Sequence, residues 1–328
     1  MLTHLNGSLW TMLDAPAKGV EIARVGWGTP DSLALPSSEG IPGIWLCTPA
    51  SGGFPPVIQR TFLSRGTAQP ITIDGHEVGS YYETDEAEYV LLMGVGPADR
   101  TASRGDQAYS AFVNLEIALQ SVGFTFHDVV RTWLYLDRLL EWYDELNRAR
   151  DAFFESRKIF GGFVPASTGI GSANLTGSAI ITGAIAIRPK EGKGATKAML
   201  ASPLQCSALD YRSSFSRAAE VVTGGFRTVF VSGTASIEPG GKTVHIGDCA
   251  KQIALSMEVV EAILATREMT FRDTSRAIAY LKKPEYHTQW QDWLKQKGLP
   301  SNFAQEVVAD VCRDDLLFEL ELDAVKRL

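Results

Sequence analysis

Residues 126–136, FHDVVRTWLYL, recur as residues 271–281, FRDTSRAIAYL. Phe126/Phe271, Asp128/Asp273, Arg131/Arg276, Tyr135/Tyr280 and Leu136/Leu281 coincide at a constant offset of 145 (271 − 126). Such a match at fixed spacing marks an internal duplication and restricts the chain to folds built from two copies of one unit. The surrounding periodicities agree. In residues 106–122, Ala108, Phe112, Leu115, Leu119 and Val122 share one helical stripe, with Asp106 as N-cap and Gly123 as C-cap. A buried strand over 89–97 precedes this helix. A strand (129–136), an amphipathic helix (139–154), a Gly-rich loop (163–173) and a strand (178–187) follow it. The second half reads strand 227–236, helix 248–265 opened by Asp248, strand 274–281, helix 285–297, an extended segment 304–311 and a last strand 316–325. The expected fold is α/β (α+β), with two tandem β-α-β-α-β domains.

The domains are placed at 61–190 and 203–328, separated by a Lys- and Gly-rich linker. Residues 1–60, rich in Gly, Pro and Ser, are expected to form an irregular β-rich N-terminal lobe. A length of 328 residues gives each domain an ample core. A net charge of −7 without a basic stripe points away from nucleic acid as a partner. No apolar run is long enough for a membrane span, and the first residues lack a signal-peptide layout. Cys47, Cys206, Cys249 and Cys312 form no CxxC, and the five histidines form no HxH or HxxxH pair. The expectation is a cytoplasmic protein with reduced thiols and with neither metal nor cofactor.

The last strand carries the chemistry. Alternation puts Leu317, Glu319, Glu321 and Asp323 on one face and Leu316, Phe318, Leu320, Leu322 and Ala324 on the other. Three carboxylates in a row repel one another, so at least one must be neutralised or paired. They belong either to a solvated sheet face or to a cleft between the domains lined by Glu319. The matching strand of the first copy, around Ile180–Ala186, has no carboxylate. One site per pair of domains is therefore expected.

The repeat resembles the RidA/YjgF superfamily in VSGTAS (231–236) before a helix, FRD before a long strand, and a C-terminal E-x-E strand. Two such domains behind an extended lobe resemble the chorismatase family. Its marks are FVPASTGIGSANLTGSAIITGAIAI (163–187), SALDYRSSFSRA (207–218) and LLFELELDAV (316–325). The resemblance implies chorismate-mutase-like sheets covered by helices. It also implies cleavage of chorismate to pyruvate and a ring product: a hydroxybenzoate, with 3-hydroxybenzoate favoured over 4-hydroxybenzoate, or by hydrolysis a dihydroxycyclohexadiene carboxylate. The catalytic residue so implied is Glu319.

An enol ether is cleaved by protonating its terminal carbon, which gives an oxocarbenium ion. A carboxylic acid can supply that proton if burial and neighbouring carboxylates keep it protonated, and the carboxylate left behind offsets the cation. Glu321 is then the neighbour that tunes the acid. Arg217, on a strand over 213–218, and Arg157, ahead of the Gly-rich loop, are candidates for the two substrate carboxylates. Tyr211 is a candidate hydrogen-bond partner, and the backbone of Gly233–Ala235 a wall of the pocket. The resemblance also implies a role for Cys312, since a cysteine at this place is expected in the hydroxybenzoate-forming subfamilies. Ala235, where the 3-hydroxybenzoate formers are expected to carry glycine, leaves the product open. An imine hydrolase of RidA type, disfavoured because Ala304 stands at the usual arginine, and a non-catalytic ligand-binding protein are the alternatives. RidA domains close rings of three, so the chain is expected to be a monomeric pseudo-trimer or to assemble further.

Overall fold

In a computed structural model, residues 3–5, 9–13, 19–29, 33, 41–48, 55–64, 66–211 and 213–328 are described, the side chains of 3–5, 9–13, 210 and 211 excepted. The N-terminal strands are β1 (Thr3–Leu5), β2 (Leu9–Leu13), β3 (Val20–Gly28), β4 (Gly43–Cys47) and β5 (Val57–Leu63). The first repeat contains β6 (Gln69–Ile73), β7 (His76–Glu83), β8 (Ala87–Val95), α1 (Arg104–Gln120), β9 (Val129–Leu136), α2 (Tyr143–Ser156), β10 (Ala166–Gly171), β11 (Ala173–Asn174) and β12 (Ile180–Pro189). The second contains β13 (Thr196–Leu200), β14 (Ala218–Thr223), β15 (Phe226–Ala235), α3 (Cys249–Ala265), β16 (Thr274–Leu281), α4 (His287–Gln296), β17 (Gln305–Val308) and β18 (Phe318–Arg327).

The sheets of the two repeats run β6-β7-β8-β12-β9-β10 and β13-β14-β15-β18-β16-β17, which is one topology used twice. Helices α1 and α3 begin and end at the same offset of 145 (249 − 104 and 265 − 120). Each repeat packs its two helices on one face of its sheet through a separate apolar core. The N-terminal strands form a third sheet, β1-β2-β5-β3-β4-β11, whose last strand is supplied by the first repeat. The inner faces of all three sheets share one core: Ile44 and Val57 of the N-terminal sheet meet Met93, Trp133 and Ile185 of the first repeat and Phe230 and Ile278 of the second. No described helix is long and apolar enough to cross a membrane.

Four local expectations are corrected. The Gly-rich stretch 163–173, expected as loop, contains β10, which pairs in parallel with β9. Its small residues serve close approach. A Cβ on Gly171 would lie 2.7 Å from the Asp310 Cβ, and the Gly171 N–H donates to the Asp310 carbonyl at 2.8 Å. The linker is shorter than expected, because Thr196–Leu200 adds an antiparallel edge strand to the second sheet. Ser103, not Asp106, caps α1: its Oγ accepts from the Asp106 N–H at 3.2 Å. Residues 213–217 lie outside regular strand, and β14 begins only at Ala218. Asp248 caps α3 as expected, accepting from the Lys251 N–H at 3.0 Å.

The contact at Gly171 joins the two repeats and leaves no room for a side chain. Gly171→Val is expected to destabilise the protein by about 1–3 kcal/mol through overpacking. Denaturant unfolding reads this as a lower midpoint, and an unchanged midpoint would show that the seam yields without cost.

Candidate active site

The three carboxylates of β18 are buried: Glu319 is 4% exposed, Glu321 0% and Asp323 2%. That rules out a solvated sheet face. The register explains why only the second repeat carries them. Glu319 pairs with Tyr280, Glu321 with Ile278 and Asp323 with Arg276. The equivalent pairs of the first repeat are Ile181 with Tyr135, Gly183 with Trp133 and Ile185 with Arg131. Ile181 and Ile185 are packed into the core shared by the three sheets, and a Cβ on Gly183 would lie 2.9 Å from the Met93 Sδ. The first repeat has filled with apolar groups what the second fills with carboxylates.

Glu321 is held from both repeats at once. Arg276 Nη2 lies 2.5 Å from Glu321 Oε1, and Arg131 Nη2 lies 3.2 Å from Oε2. Trp133 Nε1 donates to Oε1 at 3.3 Å, and both guanidiniums lie beside the Trp133 ring, with their central carbons 5.2 and 5.3 Å from its centroid. Burial pushes the Glu321 carboxyl up, but Arg276, Arg131 and the Thr168 hydroxyl outweigh it and hold it below the ordinary carboxylate range. Asp323, 3.5 Å from Arg276 Nη1, is raised by burial despite the arginines.

Glu319 is the exception among the three. Its carboxyl makes no hydrogen bond within the protein's described residues and lines a cavity between the repeats. Burial, and then the charge of Glu321, push it up to about 8, against a smaller opposing effect of Arg131. It is therefore a protonated acid at neutral pH. A β-bulge between Val231 and Thr234 opens the sheet beside it. The bulge is fixed to the first repeat: Gly233 N–H donates to Thr168 Oγ1 at 3.1 Å, and Ser167 N–H to Ser232 Oγ at 2.9 Å. A Cβ on Gly233 would lie 2.0 Å from Glu319 Oε1, so only glycine lets the carboxyl occupy this place.

The sequence candidates divide. Arg217, Ala235 and Cys312 line the same cavity as Glu319. Arg217 is anchored by its Nε to the Cys206 carbonyl at 3.0 Å. The Cys312 thiol is pushed up to about 12 by burial and by Glu319, so it stays protonated. Arg157 is not in the cavity. Its guanidinium forms an ion pair with Glu116 at 2.7 Å and stacks on Phe153, because α2 turns its C-terminal end towards α1. Tyr211 ends a 3-10 turn, and its side chain lies outside the described residues.

Two cavity arginines were missed. Arg150 of α2 is 4% exposed, with Nη2 on Asn147 Oδ1 at 2.8 Å and no partner for Nε among the described residues. Arg313 follows Cys312 and reaches Thr243 Oγ1 at 3.3 Å. A signal for Arg150 was available: it lies four residues after Leu146 on the inward stripe of its helix, where an arginine is out of place unless it faces a cavity. Among the described residues no group of His, Cys, Asp and Glu could hold a metal ion.

No family model matches the chain. A 3-hydroxybenzoate synthase of Streptomyces hygroscopicus is 26% identical over 277 residues, which is 75% of this chain and 76% of that one. The crystal structure of a chorismatase superposes with a TM-score of 0.73 at 18% identity, covering 99% of each chain. Yeast Mmf1, a smaller protein, covers 40% of this chain with all of its own, with a TM-score of 0.33 and 19% identity. The chain is thus similar over three quarters of its length to a 3-hydroxybenzoate synthase and shares its whole fold with a chorismatase.

Proposed function

We propose that the protein converts chorismate to pyruvate and a hydroxybenzoate, with Glu319 as the general acid. One observation carries this reading: a carboxylic acid whose pKa is pushed up to about 8 faces a cavity between the repeats, with no partner for its proton among the described residues. Chorismate is a dianion bearing an enolpyruvyl ether. Glu319 delivers its proton to the terminal methylene carbon of that group, forming the methyl of pyruvate and leaving an oxocarbenium ion. The new carboxylate sits beside the cation in a water-poor site, where charge stabilisation is strong. The ring hydroxyl of the substrate then adds to the oxocarbenium carbon and passes its proton to the ether oxygen, whose bond to that carbon breaks. The hydroxyl oxygen leaves the ring as the keto oxygen of pyruvate, and loss of a ring proton to the Glu319 carboxylate aromatises the ring, restores the acid and leaves the ether oxygen as the hydroxyl of the hydroxybenzoate.

Arg150, Arg217 and Arg313 surround the same cavity and suit the two substrate carboxylates. Leu134, Leu146 and Phe215 give it apolar walls for the ring. A hydroxybenzoate and pyruvate together contain the atoms of chorismate, whereas the dihydroxy product requires one added water. The similarity to a 3-hydroxybenzoate synthase supports 3-hydroxybenzoate as the ring product. Cys312 and Ala235 both border the acid and are positioned to influence that outcome. Chromatography of the ring product decides between the two routes.

Glu319→Gln retains the shape of the acid but cannot donate a carboxylic proton. Pyruvate release is expected to fall roughly 10²–10⁴-fold with little change in substrate binding. Retention of more than about a tenth of the turnover, well above that range, would remove Glu319 from the role.

Glu321→Gln tests the neighbour. The acid works only when protonated, so turnover is high below its pKa and declines above it. Without the Glu321 charge the acid loses one of the two influences that raise it, and burial alone remains. The alkaline limb of the turnover profile, expected near pH 8 in the native protein, should move to lower pH. A limb that stays in place would show that the two carboxyls do not communicate.

A further inference from the structure

The duplicated arginines have no place in the reaction just described. Arg276 is buried on β16, does not line the cavity of Glu319, and yet makes the shortest contact to Glu321, at 2.5 Å. Arg131 is the weaker holder, because its guanidinium also serves Thr168 Oγ1 at 2.8 Å and the Val231 carbonyl at 3.1 Å. Arg276 is itself seated from outside the two repeats: its Nε donates at 2.9 Å to Oε1 of Gln59, on β5 of the N-terminal sheet. Gln59 is 6% exposed. A chain of contacts thus runs from the N-terminal sheet through Arg276 to Glu321, two residues along one strand face from Glu319.

We infer that Arg276 is a positioning residue for the acid: by holding Glu321 ionised beside Glu319, it keeps the Glu319 carboxyl in its proton-donating form, and the N-terminal sheet takes part through Gln59.

The inference rests on Glu319 being the acid proposed above, and the sign of the effect separates it from a direct one. A cation acting on Glu319 through space lowers its pKa, so removing it raises the pKa. A cation acting through Glu321 does the opposite: once it is lost, Glu321 takes up a proton, the like-charged neighbour disappears, and Glu319 releases its own proton more easily. The other groups facing the acid are Arg131 from β9, Tyr280 from β16, and Tyr143 and Arg150 from α2. Arg217, Arg313 and Cys312 face it from the loops. Arg276 is not among the groups that act on Glu319 directly, whereas it is the foremost charge on Glu321.

The carboxylic-acid C=O stretch of Glu319, assigned by its loss in Glu319→Gln, can be titrated by infrared difference spectroscopy on the whole protein without substrate. Arg276→Met is expected to lower the titration midpoint by about one pH unit or more, in the same direction as Glu321→Gln. Arg276→Lys, which keeps the charge, should leave it near the native value. In the Glu321→Gln background, Arg276→Met should produce no further fall. Should Arg276→Met alone not fold, the comparison of Glu321→Gln with Arg276→Met/Glu321→Gln carries the test, since neither leaves Glu321 charged and unpaired. A raised midpoint in either background, or a lysine variant that behaves like methionine, overturns the inference. Because the infrared titration needs no chorismate, an expected shift in a protein that releases no pyruvate would overturn the proposed activity and leave the charge coupling standing.

Discussion

The buried carboxylate of Glu321, gripped by one arginine from each repeat, is the contact on which the rest of the architecture depends. Arg131 and Arg276 occupy equivalent positions in the two copies, yet both reach the same anion. A carboxylate with no exposure would be far too costly without such partners, and each guanidinium would be equally costly without it. The cluster therefore cannot be half-assembled. It requires the two sheets to meet at one register, which in turn sets the bulge at Ser232–Gly233 against β10 and places Glu319 at the edge of a cavity. Assembly of the core and protonation of the acid are two readings of one electrostatic arrangement.

Glu319 shows how much can be done with position alone. It differs from Glu321 by two residues on one strand face, in the same interior. Glu321 meets two cations and ionises. Glu319 meets none closely and inherits the repulsion of its neighbour. Two identical side chains are thereby driven to opposite protonation states, the pattern by which acid chemistry is sustained near neutral pH.

Much of this was legible in the sequence because it is periodic. The offset of 145 located both long strands and both long helices, and the alternation of β18 put the three carboxylates on one face. What periodicity does not encode was lost. Residues 166–171 have the composition of a turn, and they form a strand only because β9 offers an edge and the second repeat needs small residues to come close. Arg157 and Arg150 lie seven positions (157 − 150) apart near the end of one helix. Sequence distance from the Gly-rich stretch favoured the former, but the face of the helix decides, and Arg150 points to the cavity while Arg157 meets Glu116. The link from Gln59 to Arg276 spans 217 residues, and nothing local announces it.

Gly183 and Ile185, standing in the first repeat where Glu321 and Asp323 stand in the second, have a meaning beyond packing. In a ring of identical subunits each substitution is made at every copy, so a pocket can be kept or lost only everywhere at once. Joining the copies in one polypeptide removes that constraint. One cleft is free to accumulate charge while its counterpart becomes ordinary hydrophobic interior, and the stability gained in the second offsets the cost of the first. Asymmetry of this kind is a property that covalent continuity gives to a fold whose symmetry would otherwise forbid it.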